Sequence, residues 1–243
     1  MTTDIELGSG PTGCFLIHGF TGSTYELAGL AGFLADQGYH VSARLLPGHG
    51  TTMRECNLVR AEDWLEETEL RFTEFMLNHH TTFVIGLSMG AGLALHLGAL
   101  FPVGGVVAIS TALYLESWRT RIQLPLLAPF VEAIPKSNVY SPEGLERHPY
   151  YGYPGYPVKA LRQVLRLNAR IRKELPEVQA PVLLMHSRAD QTANFNNAAK
   201  VLAQLGDTPK KLVEFQESSH VMTDGSEKEA VWQAIDEFIN ETV

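Results

Sequence analysis

The stretch that most constrains this chain is Gly86-Leu87-Ser88-Met89-Gly90. It follows the apolar, strand-like run Thr82-Phe83-Val84-Ile85 and leads into the small-residue helical run Ala91-Gly92-Leu93-Ala94-Leu95. A strand therefore meets a helix with almost no loop between them, and a serine stands at the corner. Such a corner strains the serine backbone and projects its hydroxyl clear of the sheet. Glycine two residues to either side removes the side chains that would crowd the turn. The bland alternative is a serine that only caps the helix while the glycines ease a tight turn.

The surrounding sequence supplies the sheet such a corner requires. Cys14-Phe15-Leu16-Ile17 reads as a strand, residues 25–37 as a helix ended by Gly38, and residues 39–46 as a strand. A helix is expected over residues 61–78, with Trp64, Leu65, Leu70, Phe72, Phe75 and Met76 toward a core. Strand 82–87, helix 89–100 and the near-continuous apolar strand 103–110 follow. After an interruption come strand 181–187, helix 194–205, strand 211–216 and a closing amphipathic helix 226–241. Alternating strands and helices of this length predict an α/β fold, a mostly parallel twisted sheet with helices on both faces. One glycine-rich string, Gly8-Ser9-Gly10-Pro11-Thr12-Gly13, matches a dinucleotide-binding pattern in form only. That fingerprint follows a strand and opens a helix, whereas this one contains Pro11 and precedes a strand, so it reads as a turn.

The interruption, residues 111–179, has its own character: Leu124 to Phe130 is apolar and proline-punctuated. Tyr140, Tyr150, Tyr151, Tyr153 and Tyr156 lie among prolines and glycines. A helix over 157–175 carries Leu161, Val164, Leu165, Asn168, Ile171 and Leu175 on one stripe. Its other face bears Lys159, Arg162, Arg166, Arg170, Arg172 and Lys173, most simply a solvated face. The expected organisation is a single domain over 1–243, with core 1–110 and 180–243 and an insertion over about 111–179.

Composition removes several function classes. The 243 residues are 45% hydrophobic and 19% charged, a globular balance, and the formal charge of −8 argues against a nucleic-acid binder. Two cysteines, Cys14 and Cys56, make no disulfide framework. No apolar run reaches the ~18 residues of a membrane span, so stable membrane insertion is not expected and a soluble, cytoplasmic protein is the default. His79 and His80 adjoin but point to different faces of a helix, and no metal-ligand signature or cofactor site is apparent.

Catalytic groups in such a sheet belong at the carboxyl ends of its strands. Those ends carry Phe20, Ser88, Asp190 and His220. Ser88 is the expected nucleophile, His220 the base that takes its proton, and Asp190 the carboxylate that orients the imidazole. Their chain order is the one this architecture uses. The backbone N–H groups of Met89 and Phe20 would form the oxyanion hole. Asp224 competes with Asp190, but it follows His220 on the same loop and could as well cap the last helix. His186 lies inside an apolar strand and reads as a core or near-site histidine, whereas His18 and His49 read as supports for their loops.

With these residues in place, the chain resembles an α/β-hydrolase, and within that superfamily the small bacterial carboxylesterases and monoacylglycerol lipases. The matching motifs are Leu16-Ile17-His18-Gly19-Phe20-Thr21-Gly22, Leu46-Pro47-Gly48-His49-Gly50, Gly86 to Gly90, Ser187-Arg188-Ala189-Asp190 and Ser219-His220-Val221. They span nearly the whole chain in order. Ser219 stands where such enzymes often have glycine, and the N-terminus leaves room for fewer leading strands than in larger relatives. The resemblance implies that residues 111–179 form a cap whose apolar, tyrosine-rich surface lines an acyl pocket. It implies a serine carboxylesterase acting on short- to medium-chain acyl esters, including monoacylglycerols, through an acyl-enzyme on Ser88, with no cofactor. A thioesterase, amidase or carbon–carbon bond hydrolase with the same triad is the alternative. A ligand receptor on this fold is the reading from another class.

Overall fold

The computed structural model describes residues 3–114, 131–136 and 152–242. The strands are β1 (Ile5–Leu7), β2 (Thr12–Ile17), β3 (His40–Ala43), β4 (Thr81–Leu87), β5 (Gly105–Ile109), β6 (Ala133–Pro135), β7 (Gly155–Pro157), β8 (Val182–Ser187) and β9 (Lys210–Phe215). The α-helices are α1 (Ala28–Asp36), α2 (Met53–Cys56), α3 (Ala61–Met76), α4 (Met89–Leu100), α5 (Val158–Glu174), α6 (Asn196–Gln204) and α7 (Lys228–Thr242). The main sheet has the order β1-β3-β2-β4-β5-β8-β9. All its pairings are parallel except β1 with β3.

Two apolar layers form because strand side chains alternate between faces. Phe15, Ile17, Val84, Val106, Ala108, Val182 and Leu184 face one way, into a core shared with α3, α4, α5 and α6. Cys14, Leu16, Phe83, Ile85, Val107, Ile109, Leu183 and Met185 face the other, against α1 and α7. Strands buried on both faces therefore read as unbroken apolar runs. This is the expected α/β fold with helices on both sides of a mostly parallel sheet.

The connections create a crevice. From β2 the chain crosses to β3 on one side, then returns to β4 on the other. Successive units thus wind away from each other between β2 and β4, and the gap beyond the carboxyl ends of those strands is where ligands bind in open sheets. Phe20 follows β2 and Ser88 follows β4.

β5 and β8 are sheet neighbours, and the described residues between them stay outside the main sheet. Its described part contains the antiparallel pair β6–β7 and helix α5. The expected features at residues 124–130 and at Tyr140, Tyr150 and Tyr151 lie outside the described residues. On α5, Ala160, Val164, Leu167 and Ile171 join the main core, whereas Leu161 and Leu165 pack with Val158, Val131 and Ile134. The apolar stripe is therefore shared between sheet and hairpin, and Leu167 takes the core position expected for Leu165. His96 of α4, fully buried, hydrogen-bonds Glu69 of α3 at 2.9 Å and Glu174 of α5 at 2.7 Å, tying three helices together.

Several boundaries differ from expectation. Residues 24–27 form a 3-10 turn before α1. Leu70 is 52% exposed; it lies two residues from buried Thr68 and Phe72, hence about 200° away around α3, on the solvent side.

Candidate active site

Ser88 sits between β4 and α4 with φ 59° and ψ −109°. A non-glycine residue there is strained and persists only where its surroundings dictate it. A Cβ at Gly86 would lie 2.0 Å from Gly90 O, and one at Gly90 would lie 2.1 Å from Ile17 O. Both glycines are thus required by close backbone approach. The Ser88 hydroxyl does not cap α4; it donates to His220 Nε2 at 2.8 Å.

His220 lies in the loop after β9, its side chain 17% exposed, and its Nδ1–H donates to Asp190 Oδ2 at 2.7 Å. This pairing sets the tautomer that leaves Nε2 free to accept from Ser88. Asp190 stands in the loop after β8 with a fully buried carboxylate. Its Oδ1 accepts the amides of Thr192 at 2.8 Å and Ala193 at 2.9 Å. Burial alone would raise its pKa. Hydrogen bonds from His186 and His220, with the His220 charge and the Ala193 amide, outweigh burial and hold the carboxyl well below the ordinary range. Asp224 is elsewhere, on a 3-10 turn, with Lys228 Nζ at 3.6 Å.

His186, buried in β8, donates from Nε2 to Ala193 O at 3.0 Å, with Asp190 Oδ2 3.3 Å away. It braces the Asp190 loop. A second brace is Glu227, whose carboxylate accepts the amides of Gln216, Glu217 and Ser218 and the Ser218 hydroxyl, fixing the loop that carries His220. Nothing local marks Glu227 in the sequence, because its contacts are made from the next element back onto the loop.

The loop after β2 is held by side chains from elsewhere. Gly19 O accepts from Gly22 N–H at 3.1 Å and from His18 Nδ1–H at 2.9 Å. His18 Nε2 accepts the Leu46 amide at 3.0 Å, and His49 Nε2 accepts the Thr21 amide at 3.0 Å. Both histidines need a lone pair and are neutral; burial drives their pKa values down, His18 to about 4 and His49 to about 3. Tyr153, just before β7, donates its amide to Thr21 O and its hydroxyl to Gly48 O. In a trans peptide the N–H points opposite the C=O, so anchoring Gly19 O turns Phe20 N–H outward. Among the described residues the Phe20 and Met89 amides donate to no acceptor. The Phe20 ring packs on the buried Trp64 ring at a centroid distance of 6.0 Å and stacks on Tyr156 at 6.3 Å, beside the crevice.

Among the described residues no group of three or more His, Cys, Asp or Glu could hold a metal ion, and no helix is long and apolar enough to cross a membrane.

The chain's relatives agree with this architecture. A thermostable monoacylglycerol lipase of Bacillus sp. (strain H-257) is 30% identical over 220 residues, covering 88% of this chain and 85% of that one. A carboxylesterase of Bacillus subtilis (strain 168) is 26% identical over 232 residues, covering 95% and 93%. A solved structure from the metagenome-derived lipolytic enzymes LipS and LipT superposes with a TM-score of 0.87 at 28% identity, covering 99% and 98%. The monoacylglycerol lipase of Paleococcus ferrophilus, at 20% identity and a TM-score of 0.80, shares the fold, covering 99% and 98%. The model of the family described as serine aminopeptidase, S33, matches residues 12–228. The chain therefore belongs to the serine aminopeptidase S33 family and is an α/β-hydrolase of the lipase and esterase type.

Proposed function

We propose that this protein is a serine carboxylesterase acting on short- to medium-chain acyl esters, monoacylglycerols included. Ser88, His220 and Asp190 serve as its triad, and the Phe20 and Met89 amides as its oxyanion hole. The observation that carries the reading is the continuous hydrogen-bonded chain Ser88–His220–Asp190 at a strained strand-to-helix corner.

The geometry supports the following course. Ser88 Oγ attacks the ester carbonyl carbon as its proton passes to His220 Nε2, and the carbonyl oxygen becomes an oxyanion. Asp190, kept ionised, stabilises the imidazolium. The Phe20 and Met89 amides face the oxyanion, and each such donor is typically worth about 2.7–4 kcal/mol of transition-state stabilisation. The carbon–oxygen bond to the alcohol then breaks, and the alcohol takes the proton from His220. Water attacks the acyl-enzyme with His220 again as base; the acid leaves and Ser88 recovers its proton.

The stacked rings of Phe20 and Tyr156 suit an apolar acyl chain, and residues 111–179 act as the cap over it. The family's description names a peptidase. Ester chemistry is preferred because the curated relatives at 30% and 26% identity are named as a lipase and a carboxylesterase. Two buried free thiols, Cys14 and Cys56, fit a reducing compartment and so a cytoplasmic enzyme.

The test is hydrolysis of a p-nitrophenyl ester series by the wild type and by Ser88→Ala. Turnover strongest on short to medium chains and abolished in the variant is expected; equal rates, or activity on long triglycerides alone, would overturn the reading.

A further inference from the structure

Glu26 is an acidic residue in a place where a negative charge works against the proposed chemistry. It belongs to the 3-10 turn Thr24–Leu27 and is 7% exposed. Its carboxylate lies in the crook of the loop after β2. Oε2 accepts the Gly19 amide at 3.2 Å. A Cβ at Gly22 would lie 2.2 Å from Oε1, so any side chain at that position would displace the carboxylate. A Cβ at Gly19 would lie 3.5 Å from Glu26 Oε2 and 3.4 Å from Ser88 Cβ, so a side chain there would touch both the carboxylate and Ser88.

The two peptides of this loop are thus fixed in series. Glu26 holds the Gly19 N–H, while His18 and Gly22 hold the Gly19 carbonyl; what remains is the Phe20 N–H, turned toward the crevice. An anion here would oppose an oxyanion forming beside it, unless a cation offsets it. Lys136 is a nearby cation whose charge acts on Glu26. It follows β6, its ammonium stands 5.3 Å from the centroid of the Tyr156 ring, and that ring stacks on Phe20. Burial pushes the Glu26 carboxyl up and the Lys136 amine down, and each is opposed by the charge of the other. The Lys136 charge also reaches His49.

We propose that Glu26 is a positioning residue. It sets the Gly19 amide so that the next peptide presents Phe20 N–H to the substrate carbonyl oxygen. This rests on the esterase reading for the identity of the oxyanion donors.

The test compares Glu26→Ala with Glu26→Gln, which keeps an acceptor oxygen. Hydrolysis of p-nitrophenyl butyrate is followed with binding of a trifluoromethyl ketone, a mimic of the tetrahedral intermediate. In Glu26→Ala, kcat is expected to fall about 10–100-fold, the scale of a slightly misplaced catalytic group. KM should stay within about threefold, the pattern of an interaction made only in the transition state. Ketone affinity should weaken by the same factor as kcat, and Glu26→Gln should recover most of both. Should Glu26→Ala not fold, Gly22→Ala displaces the carboxylate instead and is expected to show the same loss. An unchanged kcat, or equal loss in the Ala and Gln variants, would overturn the inference. Amide hydrogen exchange over residues 18–22 gives a readout independent of turnover. Faster exchange in Glu26→Ala but not in Glu26→Gln supports the loop assignment even if the wild type hydrolyses no ester, an outcome that would sink only the esterase reading; exchange alike in all three proteins overturns the assignment.

Discussion

The Ser88 corner and the loop after β2 lie at the ends of adjacent strands and face the same crevice, yet they are held by opposite means. The corner is organised by its own backbone. Gly86 and Gly90 allow close approach, Ser88 takes a strained φ of 59°, and its amide donates to Ile109 O at 2.9 Å. The loop after β2 borrows its shape. His18, His49 and Glu26 hold its peptide groups, and Tyr153 reaches it from within the inserted segment. Strain stored in a local turn is written in a few consecutive residues. Strain held by distant side chains is written across the chain.

That contrast is open to breakage from both ends. The largest effect is expected on the proton-handling side. Asp190→Asn keeps the shape but presents an amide to His220 Nδ1, favouring the wrong tautomer, and kcat is expected to fall by roughly 10⁴-fold. Steady-state kinetics with thermal melts read this out; a loss under tenfold with Tm preserved would remove Asp190 from the mechanism.

The borrowed loop predicts acid lability. His18 and His49 titrate near 6.5 when unfolded but at about 4 and about 3 when folded. The unfolded chain therefore binds more protons as pH drops below 6.5, and stability falls until the folded values are reached. Between pH 7 and 4.5 this amounts to on the order of 2–3 kcal/mol per histidine. Glu26, raised to about 7, acts in the opposite direction over the same range. Two histidines against one carboxyl leave a net loss of about 2–3 kcal/mol, measurable by urea unfolding at the two pH values. A flat or rising profile would mean that the two rings are not held neutral.

Smaller effects separate the regions further. Gly90→Ala forces a Cβ to within 2.1 Å of Ile17 O, and repacking strain of about 1–3 kcal/mol is expected in denaturant unfolding. An unchanged midpoint would show that the corner has slack. Tyr153→Phe removes the hydroxyl that donates to Gly48 O and accepts from the Thr51 amide. About 1 kcal/mol is expected, with the backbone bond to Thr21 retained; a larger loss of activity than of stability would give the hydroxyl a role in the site.

The same contrast explains what was legible in the sequence. Apolar runs buried on both faces made β2, β4, β5 and β8 readable, and the glycine-flanked serine made the corner readable. Ser88, Asp190 and His220 could be named because each lies just beyond a strand end. The edge strand β1 was missed, as its three residues lie at or near the surface with no periodic signal. The hairpin β6–β7 was missed because it has three residues per strand and pairs across a long excursion. Glu26, Glu227 and Lys136 gave no signal at all. Each acts through a loop that only the folded chain brings near, and charge in a surface-like stretch reads as solvation.

The central claim, that Ser88 carries an acyl group during turnover, is tested most directly by acid-quenching the enzyme with a p-nitrophenyl ester in the first turnovers and analysing its peptides by mass spectrometry. An acyl adduct on Ser88, formed in step with a burst of p-nitrophenol and absent from Ser88→Ala, is expected. Turnover of the ester with Ser88 unmodified and the adduct on another residue would contradict the account.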